Sequence, residues 1–403
     1  MKRIFLIIKL IFQSKISFRE PRTSKLVIFD DASIINLKNV IKKFDHFIMV
    51  NRIHDINKIY LSFKLIKLFI KNYKGNIMTS YLVSLLEVIK PKAVVTFIDN
   101  SEKFSDLAKE LGNKIKFVAI QNAYRFEIIE NDYLYKIKKN KFNLNKYFYI
   151  PNLLCFGQHD INLYKKYKIK VKKFIKVGSL RLANALEYIK KNKIKLKQFR
   201  YDICVISDAV SRDHFQNFTR DDESSGLHFD KGMAYVVKYT IKFCMKNNKK
   251  FIFAMKNKRG NSIKQKKELN FYKKYLSEAE FRFLVANTTK DKVGKFVSYI
   301  TMFESKVAIS TISTMLGENL ALGNKVFACN LTKLDVMDFP NGGICSIKNC
   351  DYDTFEKRLL YIFFINKKKY ISKLSKSKNY IINYNKKIST NKILERIIGQ
   401  FTN

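Results

Sequence analysis

Short apolar runs closed by polar residues alternate along this chain with stretches whose apolar positions recur at helical spacing. The runs at 25–29, 47–50, 93–98, 116–120, 153–156 and 174–177 predict strands, as do those at 202–206, 251–255, 306–310 and 325–329. Between them the periodicity predicts helices over 56–74, 81–89, 104–111, 231–247 and 314–321, and one that follows Gly157. Pro91 and Gly112 close two of these helices. Residues 184–200 read as a charged helical connection, 127–150 as an insertion or lid without clear period, and 352–403 as a basic helical tail. Apolar runs alternating with helical patterns are the signature of βαβ units and parallel sheets.

The alternation occurs in two sets of similar size, so the expected fold class is α/β, with two Rossmann-like domains facing a cleft. The boundaries predicted are 21–185 for an N-terminal acceptor domain and 186–375 for a C-terminal nucleotide-donor domain. A basic amphipathic segment over 1–20 precedes them, and a basic helix over 376–403 follows. In open parallel sheets, ligands bind beyond the carboxyl ends of strands, at the point where strand order reverses. Polar residues that follow strands are therefore the places to search: Asp30, Asp99, Gln121, Gly178, Ser207, Lys256 and Ser310.

Charge changes this picture modestly. The 403-residue chain carries a formal net charge of +44, a field that attracts anionic partners. Lys, Ile and Asn are all specified by AT-rich codons, so the lysine excess reads partly as genome composition. The lysines are spread along the chain and no nucleic-acid-binding signature accompanies them, which argues against a nucleic-acid partner. A solvated basic surface, or an anionic membrane surface with sugar-phosphate ligands, fits better. In the opening segment Ile4, Ile7, Ile8, Ile11 and Phe12 share a helical face flanked by Lys2, Arg3, Lys9 and Lys15. That pattern suits a helix lying in a membrane interface, and equally one packed on its own core. No apolar run approaches the ~18–20 residues of a membrane span. The expected location is cytoplasmic, peripheral to the inner face of the membrane. The six cysteines form no CxxC pair and the histidines show no ligand spacing, so neither a metal nor a bound cofactor is expected.

The sharpest local signal is Ser310-Thr-Ile-Ser313-Thr314-Met-Leu-Gly-Glu318-Asn-Leu-Ala-Leu-Gly-Asn-Lys-Val. A strand ends in hydroxyl residues, a helix starts, and a Gly-Asn turn leads into another strand. Free amides at such a helix start suit a phosphate. Ser313 and Thr314 can add hydroxyl donors, and Glu318, one turn further in, can accept from ribose hydroxyls. Plain N-capping by Ser or Thr is the competing explanation. Lys256, with Arg259 as a weaker duplicate, could neutralise a diphosphate leaving group. Asp99 is the preferred general base, at the end of the most apolar strand of the first domain. Asp208, Asp213, His214 and His228, in the loop over 207–230, are its rivals.

The second-domain stretch resembles the donor-nucleotide motif of GT-B glycosyltransferases and CDP-glycerol glycerophosphotransferases, in which the Ser/Thr pair holds phosphate and the Glu holds ribose. In the first domain, Lys90-Pro-Lys-Ala-Val-Val-Thr-Phe-Ile-Asp99-Asn100, Phe117-Val-Ala-Ile-Gln121-Asn122, Cys155-Phe-Gly-Gln-His-Asp160 and Lys176-Val-Gly178-Ser179-Leu-Arg181 occur in order. Together these resemble a bacterial family of surface-carbohydrate (O-antigen or capsule) biosynthesis proteins, related to Kdo transferases and UDP-N-acetylglucosamine 2-epimerases. Members of that family often read Gln-Asn-Gly-x-Arg where this chain has Gln121-Asn122-Ala123-Tyr124-Arg125. The resemblance spans roughly residues 25–345. It implies transfer of a sugar from a nucleotide-activated donor to a lipid-linked or oligosaccharide acceptor, with Asn100, Gln121, Asn122, Arg125, Gly178, Ser179 and Arg181 on the acceptor side. A CDP-glycerol-type glycerophosphotransferase, a sugar-nucleotide 2-epimerase and a non-catalytic polysaccharide-assembly protein are the alternatives.

Overall fold

The computed structural model describes residues 15–50, 58–123, 148–167, 169–197, 199–208, 221–222, 227–256, 262–290, 294–333 and 335–403. Arg125, Asp213, His214 and Arg259 lie outside the described residues, as do 1–14 of the amphipathic segment and 127–147 of the insertion. Among the described residues, no helix is long and apolar enough to cross a membrane.

The chain divides into two compact units. One holds the described residues from 15 to 184 together with Asn385–Asn403; the other holds those of Ala185–Tyr384. In chain order the first unit contains β1 (Lys15–Ser17), β2 (Leu26–Asp30), α1 (Asp31–Ile41), β3 (His46–Val50), β4 (Lys58–Tyr60), α2 (Phe63–Asn72) and α3 (Ile77–Ile89). It continues with β5 (Ala93–Thr96), α4 (Glu102–Leu111), β6 (Lys116–Ile120), β7 (Tyr149–Cys155), α5 (Gln158–Lys166) and β8 (Lys170–Lys176). The boundary between units falls inside α6 (Leu180–Lys191).

Six of these strands form one parallel sheet in the order β3-β2-β5-β6-β7-β8. Chain order thus reverses between β2 and β5, and that is the sheet's switch point. The central strands are apolar on both faces because both faces are covered. On one side Val27, Phe29, Val94, Phe117 and Leu153 pack against Leu82, Leu86, Phe104 and Leu107. On the other, Leu26, Ile28, Val95 and Val118 pack against Leu37, Val40, Leu394 and Ile398.

The second unit contains β9 (Tyr201–Ile206), β10 (Asp221–Asp222), β11 (Leu227–His228), α7 (Phe229–Lys246), β12 (Phe251–Ala254), α8 (Ser262–Lys273), α9 (Glu278–Ala286) and α10 (Val297–Phe303). It continues with β13 (Ser305–Ser310), α11 (Thr314–Ala321), β14 (Lys325–Asn330), β15 (Ser346–Lys348), α12 (Tyr352–Phe364) and α13 (Lys367–Ser372). Its five-stranded sheet, β12-β9-β13-β14-β15, is also wholly parallel. Order reverses between β9 and β13. A last helix, α14 (Thr390–Thr402), belongs to the first unit.

Several sequence expectations change. The helix expected over 56–74 divides: β4 pairs with β1, and α2 starts only after Ser62, whose side chain accepts from the Leu65 amide. The strand expected at 174–177 runs over Lys170–Lys176, with a lysine-rich exposed face suited to a sheet edge. The charged helix expected to reach 200 stops at Lys191, and Lys193 takes a positive φ of 50°. The separate basic helix expected over 376–403 is instead α14, whose apolar stripe of Ile393, Leu394, Ile397, Ile398 and Phe401 packs in the first unit's core. The loop expected to run to 230 holds a short antiparallel pair, β10 with β11, and α7 begins at Phe229.

Candidate functional site

The switch point of the second sheet lies where β9 and β13 end. Ser310, fully buried at the end of β13, places its hydroxyl 2.7 Å from the Ile206 carbonyl and 2.7 Å from Asp208 Oδ2. The same carboxylate oxygen accepts from the Ile312 amide at 3.4 Å. Ser310 therefore ties β13 to the end of β9.

The next turn is the start of α11. Ser313 occupies the N-cap position, with extended backbone, but its side chain makes no capping hydrogen bond. At the cap positions of α1, α2, α3, α4, α9, α12, α13 and α14, Asp30, Ser62, Asn76, Ser101, Ser277, Asp351, Asn366 and Ser389 all accept from an amide of the first turn. The first amides of α11 thus lack the side-chain acceptor those helices have, and they carry the positive end of the helix dipole. Thr314 is half-buried beside Ser313. One turn further, Glu318 is wholly buried, and its Oε2 accepts from the Tyr299 hydroxyl of α10 at 2.8 Å. Gly317 lets the helix seat closely: a Cβ there would stand 3.0 Å from Ile381 Cγ2.

Lys256 follows Met255, just beyond β12. Its amide donates to the buried Glu268 at 3.1 Å and its side chain is exposed. β12 lies two strands from β13, roughly 10 Å at the usual strand spacing, a gap that a lysine side chain and a diphosphate can span together.

In the first unit the switch point is filled by the protein's own groups. Asp30 caps α1 and also accepts at 2.8 Å from the hydroxyls of Ser33 and Thr96. Asp99 is not at the strand's end, since β5 stops at Thr96; it sits in the turn that follows. Its side chain is buried, with Oδ2 accepting from the Tyr164 hydroxyl at 2.9 Å and Oδ1 from the Asn122 amide at 3.3 Å. This carboxylate ties the turn after β5 to α5 and to the turn after β6. Asn100 is half-buried in the same turn, and the cap of α4 is Ser101.

Gln121 has a comparable role. Its Nε2 donates to Asp160 Oδ1 at 2.6 Å and to the Ala123 carbonyl at 2.8 Å, while its Oε1 accepts from the Phe156 amide at 2.8 Å. Ser179 caps α6 by accepting from the Leu182 amide at 3.2 Å, after Gly178 turns the chain with φ 80°. Arg181 lies 5.7 Å from the centre of the Phe97 ring. The structure thus brings Asp99 and Asn122 together, with Gln121 beside them in sequence, but as a buried network supporting the strand-end loops. Burial first, with the charges of Asp160 and Asp99 adding to it, pushes the Cys155 thiol beneath that network up to about 12. Tyr164 and Tyr299 were not singled out from sequence, because a buried tyrosine has no local pattern to mark it; Asp160 entered only as the end of the Cys155–Asp160 stretch, and Asp208 only as a rival base.

Two successive Rossmann-like units, each a parallel sheet with one switch point, give the chain a fold of the GT-B type. Solved structures of that type match it along nearly its whole length. A UDP-GlcNAc 2-epimerase from Methanocaldococcus jannaschii, solved with UDP-GlcNAc and UDP, aligns over 94% of this chain and 99% of its own, with TM-score 0.51 and 13% identity. The UDP-GlcNAc 2-epimerase from Neisseria meningitidis, bound to UDP-GlcNAc, aligns over 93% and 98%, with TM-score 0.51 and 14% identity. The wall teichoic acid polymerase TagF aligns over 94% and 88%, with TM-score 0.50 and 10% identity. No protein-family profile matches the chain, and neither does any curated protein sequence.

Proposed function

We propose that the protein is a glycosyltransferase that moves a sugar from a nucleotide-activated donor to a lipid-linked or oligosaccharide acceptor of a surface polysaccharide such as O-antigen or capsule. The observation that carries this reading is the start of α11, where Ser313 leaves the first amides without a side-chain cap and Glu318 is buried one turn further in. Amides and a serine hydroxyl at a helix start suit a diphosphate. A carboxylate already oriented by Tyr299 suits the two neighbouring hydroxyls of a ribose.

In the reaction, an acceptor hydroxyl attacks the anomeric carbon and the bond from that carbon to the diphosphate oxygen breaks. The amides of α11, with the Lys256 ammonium, offset the charge that grows on the departing nucleoside diphosphate. No metal is needed in this scheme. The acceptor's proton goes to a general base, for which Asp99, Asp213 and His214 are the sequence candidates. Asp99, which accepts from Tyr164 of α5 and from the Asn122 amide, is better suited to positioning the turns after β5 and β6. The protein would work in the cytoplasm, at the inner face of an anionic membrane that carries the acceptor, without a nucleic-acid partner.

A sugar-nucleotide 2-epimerase is the second reading, favoured by the two epimerase structures that match over almost their full lengths. It uses the same donor site and no acceptor. Incubation with radiolabelled nucleotide sugars, with and without an oligosaccharide or lipid extract, separates the two. Label moving to the extract supports transfer, whereas a 2-epimer formed without extract supports the epimerase. Movement of glycerol phosphate from CDP-glycerol would replace both with a TagF-like activity. Donor binding without turnover would indicate an assembly protein.

A further inference from the structure

Helix α2 carries the most exposed apolar surface of the described chain. Its inner face, with Leu65, Leu68 and Phe69, packs on the first unit's core. Outward stand Phe63, 86% exposed, Ile66, 42%, Ile70, 70%, and Tyr73, 51%, just past the helix end. On the helical wheel these residues form one stripe, and Lys64, Lys67 and Lys71 form a second stripe beside it. Lys74 follows in the next turn, and Phe18, 76% exposed, comes from the segment after β1, the strand paired with β4 immediately before the helix. Lys64 and Lys74 hold ion pairs with Glu20 and Glu110, but these pairs are exposed and weak in water.

A soluble surface has no use for a phenylalanine, two isoleucines and a tyrosine in one outward row beside a row of lysines. The combination suits the boundary of an anionic bilayer, where apolar side chains enter the acyl region, aromatic rings sit at headgroup depth and ammonium groups meet phosphates. We infer that the outer face of α2 is a docking surface for an anionic lipid membrane. Charge complementarity favours this occupant: two copies meeting through this face would set their lysine rows against each other, whereas acidic headgroups neutralise them. The inference deepens the reading of a membrane-held acceptor and rests on it. Vesicle binding and donor binding are measured separately, so either can fail alone.

The test uses the full chain, with vesicles of phosphatidylglycerol or of neutral phosphatidylcholine. Two double variants are compared with wild type, Phe63→Glu/Ile70→Glu and Lys67→Glu/Lys71→Glu. Sedimentation should show the wild type bound to the anionic vesicles only. Each variant should lower the partition coefficient by roughly tenfold or more, because both apolar burial and lysine–headgroup attraction contribute. Melting temperature and nucleoside diphosphate affinity should stay at wild-type values. Equal binding of wild type and both variants would overturn the inference and return the membrane contact to the amphipathic segment over 1–20. A wild-type dimer that Phe63→Glu/Ile70→Glu splits would assign the face to a second copy. A large drop in melting temperature in both variants would mean that the chain itself covers the face.

Discussion

The Tyr299 hydroxyl donates to Glu318 Oε2 at 2.8 Å, joining the helix before β13 to the helix after it. Both residues are buried, so the bond is formed where water competes weakly. It orients the carboxylate one turn inside the uncapped start of α11. Tyr299 is therefore a positioning residue for the proposed ribose contact.

Replacing Tyr299 by Phe keeps the ring packing and removes only the donor. The variant should lose roughly 1.5–3 kcal/mol of stability and bind nucleoside diphosphate several-fold more weakly, since a hydrogen bond to a charged group is worth about that much. Calorimetric melting and titration of the same preparation check both numbers. A purely structural tyrosine would move the melting temperature and leave the affinity alone.

Asp99 gives a prediction of the opposite kind. Asparagine can accept one of the two hydrogen bonds made by Tyr164 and Asn122, but presents its amide donors to the other. Asp99→Asn should cost roughly 1–3 kcal/mol, lowering the melting temperature by several degrees. Turnover should fall in step with the loss of folded protein. A variant that melts like wild type yet loses about 10²–10⁴-fold in rate would restore Asp99 as the general base.

The thiols should be sluggish. None of the six cysteines is in a disulfide, and five are buried. Burial raises Cys345 to about 12, with Arg358 pulling weakly the other way, and raises Cys329 well above the ordinary thiol value. The half-buried Cys350 is raised as well, mainly by burial. Since the thiolate is the reactive form, alkylation of native protein at pH 8 should be slow and should begin at Cys350. Mass spectrometry of timed samples checks the order. Early labelling of Cys329 or Cys155 would contradict the packing of β14 or β7.

The two sheets were legible in the sequence because their central strands are buried on both faces and so are apolar without interruption, as at 93–95 and 307–309. Strands β1 and β4 were not legible, since three residues have no period of their own and their pairing joins Lys15 to Lys58 across 43 positions. Nor was the placement of α14, whose apolar stripe is plain but whose partners Leu37 and Val40 lie at the other end of the chain. The candidate donor site was legible in part. The spacing of Ser313 and Glu318 follows from helix geometry, while the partner of Glu318 stands 19 residues upstream on another helix. The surroundings of Ser310 and Asp99 were hidden for one reason: a polar residue near a strand end can face a ligand or bind its own neighbours, and the neighbours here, Asp208 and Tyr164, stand 102 and 65 positions away in sequence.

The central claim is that the start of α11 holds a nucleoside diphosphate, and titration calorimetry tests it most directly. Uridine, cytidine, guanosine and thymidine diphosphates are titrated into wild type, Ser313→Ala and Glu318→Gln. The glutamine can still accept from Tyr299, so the fold should persist, but it loses the charge that a ribose would meet. At least one nucleotide should bind wild type, and each substitution should weaken it by roughly 1–3 kcal/mol without lowering the melting temperature. Absence of binding by all four, or a nucleotide that binds both variants as tightly as wild type, would contradict the account.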